Sequence, residues 1–212
     1  MPDGRAGILD KLQTQYTDGV RRIALRSMDS LGRTRVSPDA LTVVGVIFSA
    51  AGAVVVYFED RSQLLAYWVG AGLFVIGSIL DILDGALARS SGKGTPFGAF
   101  LDSTTDRIGE GFILGAIALI LSREGNEVAL AFTVAAVAGS FLVSYTRAKA
   151  EALGVDAEVG LGSRAERVII IVAGLILAPW GVLPWAMYVL AVIVWFTVLQ
   201  RVLSVRTQFR GQ

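Results

Sequence analysis

Apolar positions in this 212-residue chain fall into long runs separated by short polar stretches. A helix needs about 20 mostly apolar residues to cross a bilayer. The segments Ala40–Phe58, Ser62–Leu80 and Val128–Thr146 reach that length without a single charge. Val168–Gln200 is also uncharged but too long for one crossing. Pro179-Trp180-Gly181 and Pro184 divide it into two helices joined by a tight turn. A further span, Ala99–Leu121, turns apolar only after Glu110. The pattern predicts an all-α integral membrane protein with six transmembrane helices.

The first 36 residues follow a different rhythm. Ile8, Leu9, Leu12, Tyr16, Val20, Ile23, Met28 and Leu31 recur at helical spacing, with Lys11, Arg21, Arg22 and Arg26 between them. No apolar stretch follows the early charges, so the segment reads as neither a span nor a signal peptide. It suits an N-terminal amphipathic helix on the cytoplasmic leaflet, or a soluble helix packed on the bundle. The expected organisation is therefore residues 1–36 as this helix, 37–205 as one membrane domain, and 206–212 as a cytoplasmic tail.

Six crossings put both termini on one side, together with the loops near 88–98 and 147–167. That side holds every Lys and Arg except Arg61, Arg107 and Arg123. Basic residues mark the cytoplasmic side, so both termini are expected there, in a multi-pass protein of the cell membrane.

Composition narrows the chemistry. Hydrophobic residues make up 54% of the chain and charged ones 17%, with a mean hydropathy of +0.62. Soluble domains carry about a quarter charged residues. There is no histidine and no cysteine, which excludes a thiolate nucleophile, a Cys/His zinc site, a disulfide framework and an imidazole base. Acid–base work falls to Asp, Glu, Lys or Tyr. The net charge of +1 gives no reason to expect a nucleic-acid partner.

The informative charges are those inside the helices. The second span continues as Asp81-Ile-Leu-Asp84-Gly85-Ala-Leu-Ala88-Arg89, and the third opens Phe100-Leu-Asp102-Ser-Thr-Thr-Asp106-Arg107-Ile-Gly-Glu110. Carboxylates at membrane depth are costly and mark functional cavities. Asp81 and Asp84 are i,i+3, and Asp102 and Asp106 are i,i+4, so each pair shares a helical face. A short loop makes the two helices antiparallel, and four carboxylates then converge near the cytoplasmic surface. They require counter-charge. All-oxygen ligation favours Mg²⁺, Mn²⁺ or Ca²⁺ over zinc. Capping and ion pairing with Arg89, Lys93 and Arg107 account for one or two aspartates, not for four on facing surfaces. Gly85 and Ala88 allow a ligand close to the second span, and Gly98 lets the third begin near its neighbour. With the loop Ser90-Ser-Gly-Lys-Gly-Thr95-Pro96-Phe97, the set points to a polyphosphate ligand.

Asp81-x₂-Asp84-Gly85-x₂-Ala88-Arg89-x₈-Gly98-x₃-Asp102-x₃-Asp106 resembles the CDP-alcohol phosphotransferase signature at every fixed position. The resemblance implies transfer of a substituted phosphate from a CDP-linked donor to an alcohol, with release of CMP. It implies two Mg²⁺ ions (or Mn²⁺) on Asp81, Asp84, Asp102 and Asp106, with Asp106 also the general base. Donor contacts then fall on Gly85, Arg89, Thr95 and the tetrapeptide Ser37-Pro38-Asp39-Ala40. Ser37 and Pro38 are equally well explained as an N-cap and a first helical residue. A homodimer is also implied. Ser49-x₂-Gly52 and Gly111-x₃-Gly115 put small residues on helix faces, though such spacing is common by chance.

Three further helix ends gather beside the aspartates: Ser144-Tyr145-Thr146-Arg147-Ala148-Lys149-Ala150-Glu151, Gly162-Ser163-Arg164-Ala165-Glu166-Arg167, and Leu199-Gln200-Arg201. Converging cations suit an anionic acceptor, most simply a phosphomonoester. The positive-inside rule explains any one of them equally well. The first two motifs look like those of actinobacterial phosphatidylinositol phosphate synthases. That likeness implies CDP-diacylglycerol as donor and myo-inositol 3-phosphate as acceptor. It singles out Arg147, Arg164 and Arg201 for the acceptor phosphate, with Lys149 and Arg167 behind them. Phosphatidylglycerophosphate synthesis from glycerol 3-phosphate is the alternative enzyme reading. A divalent-metal transporter is a remote one, because the acids lie at the helix ends and no repeat is evident.

Overall fold

The computed structural model describes residues 37–59 and 62–210. The expected amphipathic helix over residues 1–36, Arg61 and the last two residues lie outside them. The described residues form six α-helices and no strand: α1 (Pro38–Tyr57), α2 (Gln63–Ser91), α3 (Pro96–Arg123), α4 (Glu127–Ala152), α5 (Arg164–Ile176) and α6 (Leu183–Arg210). A 3₁₀ turn, Ala178–Trp180, separates α5 from α6. Gly181 follows it at φ 74°, the left-handed conformation that lets the chain reverse. The break predicted from Pro179-Trp180-Gly181 and Pro184 is thus observed. The last helix runs on to Arg210, so residues 206–210 continue it.

Local chemistry sets the helix starts. Ser37 Oγ accepts from the Ala40 amide at 3.2 Å ahead of Pro38, and Thr95 Oγ1 from the Gly98 amide at 2.9 Å ahead of Pro96. Asn126 Oδ1 accepts from the Ala129 amide at 3.1 Å. Each side chain satisfies a donor that a helix leaves unpaired at its first turn.

α1, α2, α4 and α6 are long and apolar enough to cross a membrane. α3 has the length, 28 residues, but carries Asp102, Asp106, Arg107 and Glu110 in its first half. α5 has only 13 residues, about 20 Å of helix. Large apolar side chains point outward along the bundle, among them Leu65, Ile169, Trp185 and Val192, each more than 60% exposed. In water these surfaces would be a heavy liability; lipid covers them. The molecule is a membrane protein.

Glycine decides how closely α1 and α2 approach. A Cβ on Gly77 would lie 2.6 Å from the Gly45 carbonyl oxygen, and one on Gly52 would lie 2.8 Å from the Gly70 carbonyl oxygen. Only bare backbone fits there. The seam draws α1 and α2 together one turn below the acidic residues, and Ser49 extends it to Gly109 of α3. Behind it, Ile113, Leu114, Ile117, Ile120 and Leu121 of α3 are fully buried.

Two polar ties close the ends. At one, Tyr67 donates to Glu59, and Arg123 Nη2 stands 3.2 Å from Glu59 Oε1. At the other, the 153–163 connection is fastened to α6. Gly162 N–H donates to Thr197 Oγ1 at 2.9 Å, and Gln208 both donates to the Asp156 carbonyl and accepts from the Asp156 amide. Val155 and Ala157 of that connection are buried, with Val205 of α6 packed against them.

Candidate active site

The α1–α2 seam leads directly to the acids. One turn from Gly45 on α1 and two turns from Gly77 on α2, Thr42 meets Asp84: its hydroxyl donates to Asp84 Oδ2, and both residues are buried. The same hydroxyl lies 3.2 Å from the Pro38 carbonyl. Asp81 sits one turn before Asp84 on α2. Asp102 and Asp106 come from the opening turns of α3.

Carboxylate oxygens of Asp81, Asp102 and Asp106 all lie within 4.8 Å of one another. Asp84 stands beside this trio rather than inside it. Arg164, the first residue of α5, ion-pairs with Asp81 and lies 2.6 Å from Asp106 Oδ1. Arg89 lines the same cavity as Asp84 and Asp102, and Arg107 the same cavity as Asp102 and Asp106, so the four carboxylates outnumber the guanidinium groups of Arg89, Arg107 and Arg164 by one. Asp106 Oδ1 is buried and, although Arg164 stands beside it, accepts no hydrogen bond. A converging, oxygen-only donor set with a buried oxygen that accepts no hydrogen bond fits a hard divalent cation.

Two cavities meet at the acids. The first, about 240 Å³, runs between α1, the end of α2 and the start of α3. Pro38, Asp39, Gly85, Arg89 and Thr95 line it, as do Thr42, Asp84, Lys93 and Asp102. Ser37 and Ala40 are exposed and do not, and the Ala40 amide is taken by the Ser37 hydroxyl. Gly98 is tightly placed: a Cβ there would lie 3.1 Å from Asp39 Oδ1 and 3.2 Å from Thr95 Oγ1.

The second cavity, about 500 Å³, is basic. Arg107, Arg147, Arg164, Arg167 and Arg201 line it, together with Asp102 and Asp106. Lys149 is exposed and does not line it. Arg147 pairs with Glu151 at 2.8 Å and with Glu158. Arg201 is buried; its Nε donates to the Val159 carbonyl at 3.1 Å and its Nη1 to that of Val143. Arg167 is also buried, joined to Glu110 by two hydrogen bonds of 2.8 Å and to the Gly162 carbonyl at 2.9 Å. Arg201 and Arg167 therefore hold backbone as well as facing the cavity.

Thr42, Lys93, Arg107 and the partnership of Glu110 are additions to the residues expected from sequence. Glu110 carried a signal, being an acid in an apolar span one turn from Asp106. Thr42 carried none, because a buried helical threonine is unremarkable. The expected small-residue faces separate in the fold. Ser49 and Gly52 are buried against α2 and α3, while Gly111 and Gly115 line an outward apolar groove.

The sequence model of CDP-alcohol phosphatidyltransferases matches residues 35–200, well over half of the chain. The archaetidylinositol phosphate synthase of Pyrococcus horikoshii is 35% identical over 92% of this chain and 95% of its own length. The phosphatidylinositol phosphate synthase of Streptomyces avermitilis is 38% identical over 83% of this chain and 75% of its own. Among solved structures, that of Mycobacterium tuberculosis phosphatidylinositol phosphate synthase with CDP-DAG bound superposes with a TM-score of 0.77 and 32% identity, covering 87% of this chain and 94% of that one. The same enzyme has been solved in complex with manganese and citrate, also at a TM-score of 0.77. Motif, fold and relatives agree: this chain is an enzyme of the CDP-alcohol phosphatidyltransferase family.

Proposed function

We propose that this enzyme transfers the lipid phosphate group of a CDP-linked donor, CDP-diacylglycerol, to myo-inositol 3-phosphate, giving phosphatidylinositol phosphate and CMP. The observation that carries the reading is the junction: a carboxylate cluster flanked by a narrow groove on one side and an arginine-lined cavity on the other. The names of the relatives support the acceptor, since they share an inositol phosphate product and differ in the lipid.

In this reading the cytidine and pyrophosphate occupy the groove along Pro38, Asp39, Gly85, Arg89 and Thr95, with Ser37 and Ala40 at its rim. Asp81, Asp84, Asp102 and Asp106 would hold two Mg²⁺ ions, or Mn²⁺. Bound there, the cations would neutralise charge developing on the pyrophosphate. Arg147, Arg164 and Arg201 bind the acceptor phosphate. Lys149, outside the cavity, and Arg167, engaged by Glu110 and Gly162, are left out of that set. Asp106 accepts the proton of the attacking ring hydroxyl. The hydroxyl oxygen bonds to the β-phosphorus, the bond to the bridging oxygen breaks, and that oxygen leaves on CMP. With no histidine in the chain, a carboxylate is the available base.

The site faces the cytoplasm of a cell-membrane protein. All six helices cross, both termini are cytoplasmic, and residues 37–205 act as one membrane domain that pairs as a homodimer. The test offers purified protein CDP-diacylglycerol with myo-inositol 3-phosphate or glycerol 3-phosphate and measures CMP release. Turnover with inositol phosphate is expected; turnover with glycerol 3-phosphate alone would overturn the acceptor.

A further inference from the structure

The acid on α3 that belongs to no cluster is Glu110, one turn deeper than Asp106 on the same face. Its partner Arg167 lies three residues after Arg164 on α5. The two helices therefore face each other through two charged rungs, Asp106–Arg164 and Glu110–Arg167. The rungs differ in surroundings. Arg164 and Asp106 keep 32% and 22% of their side-chain surface open, toward the basic cavity, whereas Arg167 and Glu110 keep 5% and 7%. The deep rung is dry, and Glu110 meets Arg167 with both carboxylate oxygens at 2.8 Å.

We propose that Glu110 is a positioning residue for the acceptor pocket: through Arg167 it fixes the rotation and depth of α5, and thereby stands Arg164 across the acidic cluster. The proposal rests on the acceptor-pocket reading above. Four considerations support it.

Removing a buried ion pair for well-packed apolar residues is often neutral or favourable, so holding the helices together does not require one. What a two-point fork adds is direction, since it tolerates little rotation about either axis.

The rest of Arg167 supports the same task. Its Nη1 donates to the Gly162 carbonyl, and the Gly162 amide donates to Thr197 of α6. The start of α5 is thus located against both α3 and α6.

Arg164 has little leeway. A helix with its side chains is about 5–6 Å in radius, so a rotation of about 20° moves a side-chain tip by about 2 Å. Such a shift breaks a contact of 2.6 Å with Asp106.

Lastly, α5 cannot be aligned by length. With 13 residues it offers packing less length over which to fix its rotation than its longer neighbours do.

The test uses the full chain, purified in detergent. Three variants are compared with the parent: Glu110→Gln, Arg167→Lys and the double variant Glu110→Gln/Arg167→Gln. The KM for each substrate, kcat and calorimetric binding of myo-inositol 3-phosphate are measured. Glu110→Gln and Arg167→Lys should raise the acceptor KM about tenfold or more and weaken acceptor binding in parallel, with the KM for CDP-diacylglycerol within about twofold, the size expected for a displaced binding group. The double variant decides the matter, because it leaves no unpaired buried charge and folds even if a single variant does not. It should melt near the parent temperature and still bind the acceptor about tenfold more weakly. Parent-like acceptor binding in the double variant would overturn the proposal, as would equal losses for both substrates. A parent enzyme that ignores inositol phosphate but uses glycerol 3-phosphate would instead overturn the acceptor reading, and the same comparison made with glycerol 3-phosphate then tests the pair.

Discussion

Replacing Thr42 with valine removes a hydroxyl that reaches Asp84 and, at 3.2 Å, the Pro38 carbonyl, and changes little else. The side chains are of similar size and Thr42 is buried where α1 crosses α2, so the glycine seam stays closed. What is lost is the hydroxyl that donates to Asp84 Oδ2. A hydrogen bond to a charged group contributes about 1.5–3 kcal/mol, which at about 1.4 kcal/mol per decade corresponds to about 10- to 150-fold in an equilibrium constant. If Asp84 is a cation ligand, the loss falls on cation binding. Partners that orient a ligating carboxylate typically carry about 10–100-fold of metal affinity. Titrating purified protein with Mn²⁺ and following free Mn²⁺ by electron paramagnetic resonance, with no substrate present, reads this directly. Thr42→Val should bind Mn²⁺ at least about tenfold more weakly, and Thr42→Ser should stay close to the parent. Binding by Thr42→Val within twofold of the parent would refute the reasoning.

Other perturbations address other parts of the site. Asp106→Asn should nearly abolish CMP release while leaving membrane insertion intact; near-parent rates would remove Asp106 as the base. Chelation with EDTA should stop turnover, and added Mg²⁺ or Mn²⁺ should restore it, as measured by CMP release. Gly77→Val should destabilise the protein by about 1–3 kcal/mol through overpacking, because even its Cβ would lie 2.6 Å from a backbone oxygen that cannot yield; a lowered melting temperature in detergent checks this. Thr197→Val should loosen the tie to Gly162 and raise the acceptor KM more than the donor KM in steady-state assays.

Much of the site was legible because its information is local. Asp81 and Asp84 share a face through helical periodicity, and the short loop to Asp102 and Asp106 leaves two antiparallel helices little choice but to face each other. The same logic located the turn at Pro179-Trp180-Gly181. What sequence did not reveal depends on contacts between distant segments. Arg164, Arg167 and Arg201 are alike as basic residues at helix ends, yet one reaches the acids, one is taken up by Glu110, and one also holds the carbonyls of Val143 and Val159. Spacing along a chain cannot separate these fates, since each is settled by which helix lies opposite. Thr42 was hidden for the same reason: only the approach of α1 to α2 turns a common buried threonine into the neighbour of Asp84. Likewise, the spacing of Ser49 and Gly52 does not say what covers them; in the fold Gly52 meets α2 and Ser49 meets both α2 and Gly109 of α3.

One feature of the cavities bears on the stereochemistry of the reaction. Asp102 and, one turn before it, Ala99 line both the groove and the basic cavity, so the opening of α3 is the wall the two chambers share. With the donor in the groove and the acceptor in the basic cavity, as proposed, the donor would present its phosphorus at that wall with the departing nucleotide behind it, and the acceptor would reach it from the opposite face. No nucleophilic side chain needs to carry the lipid phosphate from one chamber to the other. A single displacement of this kind turns the phosphorus inside out, so a donor made chiral at that atom with sulfur should yield product of inverted configuration.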